Sequence, residues 1–122
     1  MLCAYEENEN DENHSILKNN YEILLKSTDQ DGKKLEVIKM PMPPTILANV
    51  RDNKTRLPAS YLNFYVANKV VLVPIFKHKN DRVALKIIHD QFPGRKVIGI
   101  DCRDLIFGMG AIHCVMQQQP EI

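Results

Sequence analysis

Charge of one sign is scarce in this 122-residue chain: 16 Lys and Arg face 15 Asp and Glu, for a formal net charge of +1. Such a balance argues against a dominant electrostatic partner, and no basic patch or recognition motif points to nucleic acid. The basic pairs Lys33-Lys34 and Arg95-Lys96 are isolated, and each runs at once into apolar residues. Long apolar runs are missing as well. None approaches the ~20 residues of a membrane span, so no membrane partner is expected. The N-terminus passes from Met1-Leu2-Cys3 directly into acidic and amide residues, which is not the pattern of a secretory leader. Cysteine is sparse: Cys3, Cys102 and Cys114 cannot all pair within one chain, and their spacing forms no compact metal-binding pair. Reduced thiols in a cytoplasmic protein are the expectation. A Gly-rich turn after an early strand is also absent, because Gly32 stands alone in a polar turn, and this argues against a small dinucleotide-binding fold.

What the chain does hold is hydrophobic periodicity within the length of one compact domain. Leu2 to Tyr5 reads as a short strand, and EENENDENHS after it reads as a loop or helix entrance. Leu17, Tyr21, Leu24 and Leu25 recur at helical spacing, which predicts an amphipathic helix over 15–26. Asp29, Asp31 and Gly32 close it in a turn. Leu35, Val37 and Ile38 mark a strand, which the MPMPP segment should stop.

A linker containing Asn49, Arg51 and Asp52 follows, and then a second series. Tyr61, Leu62, Phe64, Tyr65 and Val66 form an apolar run, Asn68-Lys69 a tight turn, and Val70 to Val73 a strongly apolar strand. Asp81 is placed to cap a helix over 81–92, with Val83, Ala84, Ile87, Ile88 and Phe92 as its packing face. Pro93-Gly94 ends it, residues 96–100 return as a strand, and Asp101 to Asp104 begin a short helix. The order is that of two related α/β units, about 1–47 and 48–122, built on repeated strand-strand-helix-strand packing.

The chain ends on GMGAIHCVMQQQP, residues 108–120. This stretch resembles the C-terminal signature of the agmatine deiminases, a branch of the peptidylarginine-deiminase-like enzymes. Gly108, Gly110, Ile112, His113, Cys114, Gln117, Gln118 and Pro120 match, while Met109 stands where the family has glycine and Ala111 where it has asparagine. RLPASYLNFYVANKVVLVP (56–74), FPGRKVIGID (92–101), the acidic-amide stretch near residues 7–11 and LEVIKMPMPP follow the family's order, so the resemblance covers nearly the whole chain.

The resemblance implies part of a five-unit α/β propeller around a central pocket, corresponding to the C-terminal portion of longer proteins. It implies hydrolysis of agmatine to N-carbamoylputrescine and ammonia, by cysteine attack on the guanidinium carbon, without metal or organic cofactor. Cys114 would be the nucleophile, and Gly108 and Gly110 would let the backbone approach the substrate. The family's catalytic histidine and guanidinium-binding acids match nothing here. His14 and His78 lack the right surroundings, and His113 corresponds to a histidine that is not the base. Asp101 and Asp104 are better explained by a helix start than as a catalytic pair. Arg56 and Asn63 read as structural support, and Cys3 and Cys102 as packing.

An isolated chain of this kind is expected to be inactive and to need a partner, either a second copy or a complementary N-terminal chain. The rival readings are an inactive interaction or regulatory remnant and one chain of a split guanidine-modifying hydrolase. If the glycine replaced by Met109 serves a positive φ, methionine there is strained; if it only makes space, Met109 narrows the pocket.

Overall fold

A computed structural model describes residues 1–50 and 52–120. The chain divides into two compact units, Met1–Met42 and Pro43–Ile122. In the first, β1 (Leu2–Tyr5) and β2 (Ile38–Pro41) pair in parallel, and α1 (His14–Lys26) makes the crossover that parallel pairing requires. Leu17, Tyr21 and Leu24 are its half-buried face, whereas Leu25 is exposed. Tyr21 meets Tyr5 edge-on at 5.5 Å, and the Lys39 ammonium lies 3.6 Å from the Tyr5 ring centre. The turn after α1 forms as expected. The Asp29 carboxylate accepts from the amides of Asp31 and Lys33, and Gly32 takes φ 76°.

The strand expected at Leu35 begins instead at Ile38 and runs through Pro41 into the proline segment. Its partner sets these limits: β1 offers only four residues, in register from Leu2↔Ile38 to Tyr5↔Pro41. Pro41 is the last of them, on an edge strand where a missing N–H is tolerated.

The second unit opens on a hairpin in place of the expected linker, of which Arg51 lies outside the described residues. β3 (Leu47–Val50) and β4 (Asn53–Arg56) form an antiparallel hairpin, in register from Leu47↔Arg56 to Val50↔Asn53. Asp52 turns it at φ 64°, a conformation that Asp adopts more readily than most residues. The polar run Asn53-Lys54-Thr55 has no clear apolar alternation, so no strand signal was visible there.

A three-stranded sheet follows, in the order β5-β6-β7, from β5 (Tyr65–Val66), β6 (Val70–Ile75) and β7 (Lys96–Asp101). The apolar run at Tyr61 supplies only the two residues of β5, because Tyr61 turns into the core instead. β5 and β6 are antiparallel across the expected turn, and β6 and β7 are parallel across α2 (Asn80–Gln91). Phe92 closes α2, and Gly94 at φ 83° reverses the chain into β7. Val71, Val73, Ala84, Ile88, Cys102 and Ile106 are completely buried and make the centre of this unit. Each large apolar side chain among them contributes about 1.5–3 kcal/mol. Val83, expected on the packing face, is exposed.

β6 continues two residues past its expected end, through Pro74. The Val70 carbonyl bonds the Ala67 amide on the β5 side, and the Ile75 carbonyl bonds the Cys102 amide on the β7 side. By alternation Pro74 faces the β5 flank, beyond Tyr65, where β5 has not begun. No ladder bond is lost there.

Asp81 is not the helix cap it was expected to be. The helix starts one residue earlier, and the capping position belongs to Lys79, whose side chain makes no capping bond. Asp81 turns inward instead. One carboxylate oxygen accepts from the Tyr61 hydroxyl at 2.7 Å and the Phe76 amide at 3.1 Å, and the other accepts from the His78 amide at 3.0 Å. Tyr61 is fully buried, and burial together with Asp81 pushes its phenol far above the ordinary range. After β7 the chain forms a 3-10 helix (Leu105–Gly108), just past the residues expected to open a helix, and then the single turn α3 (Ile112–Val115).

Removing the Asp81 acceptor strands a buried hydroxyl and a buried amide. Asp81→Ala is expected to cost about 3 kcal/mol or more in urea unfolding, and Tyr61→Phe about 1–2 kcal/mol.

Candidate functional site

Cys114 sits in α3, a turn too short to be stable alone. It is fixed from below by Ile112 and Ala111, both buried, and packs against β6. From the side it is held by Asn63, 51 residues earlier. The Asn63 side-chain carbonyl accepts the His113 amide at 2.8 Å, and its amide nitrogen donates to the Cys114 sulfur at 3.0 Å. The Asn63 backbone carbonyl also accepts the His113 amide, at 3.2 Å. The residue at the helix cap is Ala111, which carries no polar side-chain atom. A side chain from another segment thus satisfies one of the helix's open amides.

The thiol itself is exposed. The Asn63 hydrogen bond, followed by one from the Ala111 backbone, holds its pKa below the ordinary thiol value. Cys3 and Cys102 are buried, and burial pushes both of their thiols up; Asp101 adds to the effect at Cys102. One cysteine of three is therefore placed to react.

The two glycines of the motif differ in their surroundings. A Cβ on Gly110 would lie 2.7 Å from Cys114 Cβ and 2.9 Å from its sulfur, so the sulfur rests against bare backbone. A Cβ on Gly108 would meet nothing within 4 Å. Between them Met109 takes φ 65°, ψ 26°, the left-handed conformation that favours glycine. Of the two consequences expected of Met109, backbone strain is the one that applies here; its side chain is 53% exposed.

Other candidates fall away on geometry. Asp101 is clamped in a bidentate pair by Arg103, at 2.8 Å, which holds its carboxyl down to about 2. His14 lies against the Glu6 carbonyl, and His78 accepts from the Asn80 amide. Among the described residues the groups bonded to Cys114 are an amide side chain and a backbone amide, with no histidine or carboxylate. A cleft of about 590 Å³ opens between residues 65–69 and Gln118, Gln119 and Pro120; Cys114 and Asn63 do not line it. Among the described residues no cluster of His, Cys, Asp and Glu could hold a metal, and no helix is long and apolar enough to cross a membrane. Asn63 was legible as part of a recognisable segment. Its grip on the sulfur was not, since only the folded chain brings the two together.

A mixed α/β fold that displays one exposed, hydrogen-bonded thiol at the end of a parallel strand-helix-strand unit is what the geometry defines. The sequence pattern of the Porphyromonas-type peptidyl-arginine deiminases matches residues 1–120, and the chain belongs to that family. A provisionally named agmatine deiminase of Legionella pneumophila (strain Paris) is 38% identical over 99% of this chain and 34% of its own length. The crystal structure of a provisionally named arginine deiminase from Porphyromonas gingivalis superposes with a TM-score of 0.90 at 36% identity, covering 98% of this chain and 34% of that one. The agmatine deiminase of Enterococcus faecalis gives a TM-score of 0.88 at 31% identity, over 98% and 36%. The chain spans about a third of the length of the curated relatives it matches.

Brief treatment with iodoacetamide at neutral pH should label Cys114 well before Cys3 or Cys102, as read by peptide mapping. Labelling of Cys102 first would contradict this placement. Met109→Gly should relieve the left-handed backbone and raise stability by about 0.5–1 kcal/mol in urea unfolding.

Proposed function

We propose that this chain supplies the nucleophile-bearing part of an agmatine-deiminase-type guanidine hydrolase. The observation that carries the reading is the exposed Cys114 sulfur, seated on Gly110 and held by Asn63. Membership of the family and the agmatine deiminases among its relatives supply the substrate class. In this reading a sulfur lone pair of the Cys114 thiolate attacks the guanidinium carbon of agmatine and a C–S bond forms. The terminal C–N bond then breaks, and the nitrogen takes up a proton to leave as ammonia. Water adds to the thioether-bound amidinium, the C–S bond breaks, and N-carbamoylputrescine departs with the thiolate restored; two protons are released, one of them making good the proton that the leaving nitrogen took up. Gly110, with Gly108 before it, keeps the approach to the sulfur clear of side chains. The reaction calls for no metal or organic cofactor.

The rest of the machinery lies elsewhere in the assembled enzyme. A guanidinium carbon is a poor electrophile until carboxylates fix the cation and an acid-base group serves the leaving nitrogen. Cys114 has neither beside it among the described residues. The natural setting for these missing groups is the five-unit propeller, closed by a complementary stretch of chain or by another copy. Three free thiols suit a reducing, cytoplasmic compartment. The strained Met109 and the apolar cap Ala111 favour the second reading, a remnant that keeps the family's fold edge for binding.

The pure 122-residue chain is expected to release no ammonia from agmatine above background; release lost in Cys114→Ser would overturn that. A chimera in which this chain replaces the matching part of the Enterococcus faecalis agmatine deiminase should release ammonia, and lose it with Cys114→Ser. A folded but inactive chimera would favour the remnant. Light scattering across a concentration series should show the isolated chain associating, and a concentration-independent, compact monomer would overturn that association.

A further inference from the structure

Asn63 bonds two different atoms of the cysteine turn with the two ends of one amide. The orientation of that amide is forced. The His113 backbone N–H is a donor, so the Asn63 oxygen must face it, and the NH2 group is then turned to the Cys114 sulfur. Tyr61, two residues earlier, is fully buried and tied to Asp81, and the backbone N–H of Asn63 donates to the Ser60 carbonyl at 3.3 Å. The clamp is therefore mounted on a rigid part of the second unit, whereas the turn it holds has only four residues.

We infer that Asn63 is the positioning residue of the cysteine, its oxygen fixing the turn at His113 and its NH2 aiming the Cys114 sulfur and stabilising it as a thiolate. The catalytic meaning of this rests on the guanidine-hydrolase reading above; the clamp itself does not. A neutral thiol accepts hydrogen bonds weakly and a thiolate strongly, so a fixed donor at 3.0 Å favours the anion. The same donor sets the side-chain rotamer, because the sulfur sits between the Asn63 NH2 and the bare backbone of Gly110. Among the described residues no charged group shares this role. The causes acting on the thiol are the Asn63 amide, the Ala111 backbone and burial, and the titratable neighbour in sequence, His113, is exposed. Once carbon bonds to the sulfur, the anionic acceptor is gone and the Asn63 NH2 loses its strong partner. The clamp favours the attacking state over the covalent one.

The experiment is the pH dependence of Cys114 alkylation by iodoacetamide in the full chain, which needs no turnover. Asn63→Ala removes both arms. Asn63→Asp keeps an oxygen for the His113 amide and replaces the donor with a carboxylate, so it preserves the turn. Both should move the midpoint of the pH-rate profile upward and slow labelling at pH 7 at least about threefold, while circular dichroism stays unchanged. In an active chimera the same variants should lower kcat and shift its alkaline-going limb upward, with little change in KM. A wild-type midpoint in folded Asn63→Ala or in Asn63→Asp would overturn the proposal. A shift in Asn63→Asp with none in folded Asn63→Ala would overturn it too, as an effect of charge alone. An inactive chimera with shifted alkylation profiles would sink the hydrolase reading and leave the clamp standing.

Discussion

The second unit depends on one buried carboxylate. Asp81 joins the hydroxyl of Tyr61, the amide of Phe76 just past β6 and the turn at His78, three residues that lie outside any helix or strand. Burying a carboxylate is costly unless its oxygens are met by donors, and here both are. The pairing works in the other direction as well. The stretch from Leu57 to Phe64 belongs to no helix or strand, and the Tyr61 side chain anchors it to the core, aided by an edge-on contact with Phe76 at 5.6 Å. Asn63 takes its position from that anchor. A residue that touches nothing at the cysteine thus governs where the cysteine stands.

The turn that carries Cys114 shows how little regular structure is needed to hold an exposed thiol in place. α3 is one turn long, preceded by a left-handed Met109 and followed by extended chain. Its inner side is anchored by Ala111 and Ile112, and its His113 amide by Asn63, leaving the sulfur on the open side. Strain at Met109 and packing at Ile112 act on the same few residues. The local cost of the one is met by the burial of the other.

Much of this was readable in the residues. Helical spacing placed both long helices within a residue of their observed limits, because Leu17, Tyr21 and Leu24 in one and Ala84 and Ile88 in the other do face the protein. Cys114 was marked out by its motif. The failures share a cause. The hairpin at residues 47–56 is built of polar residues whose pairing comes from backbone geometry, and the inward turn of Asp81 depends on a tyrosine 20 residues away. The Asn63 clamp spans 51 residues. Periodicity reports what one segment does against a generic interior; it carries nothing about which distant polar group will answer a particular donor.

Pro74 has a consequence for how this sheet can be approached. It lies in β6 opposite Ile100, and on its other flank β5 has not yet begun. A strand flank left without a ladder partner ordinarily invites a stranger's backbone to extend the sheet, the route by which sheets stack into aggregates. Here the invitation is withdrawn at one position, because proline has no N–H to offer. An incoming strand would find a carbonyl with no matching donor beside it. This half of β6 is covered by side chains and not by another rung of the sheet: Pro74 is fully buried, and α3 packs against β6.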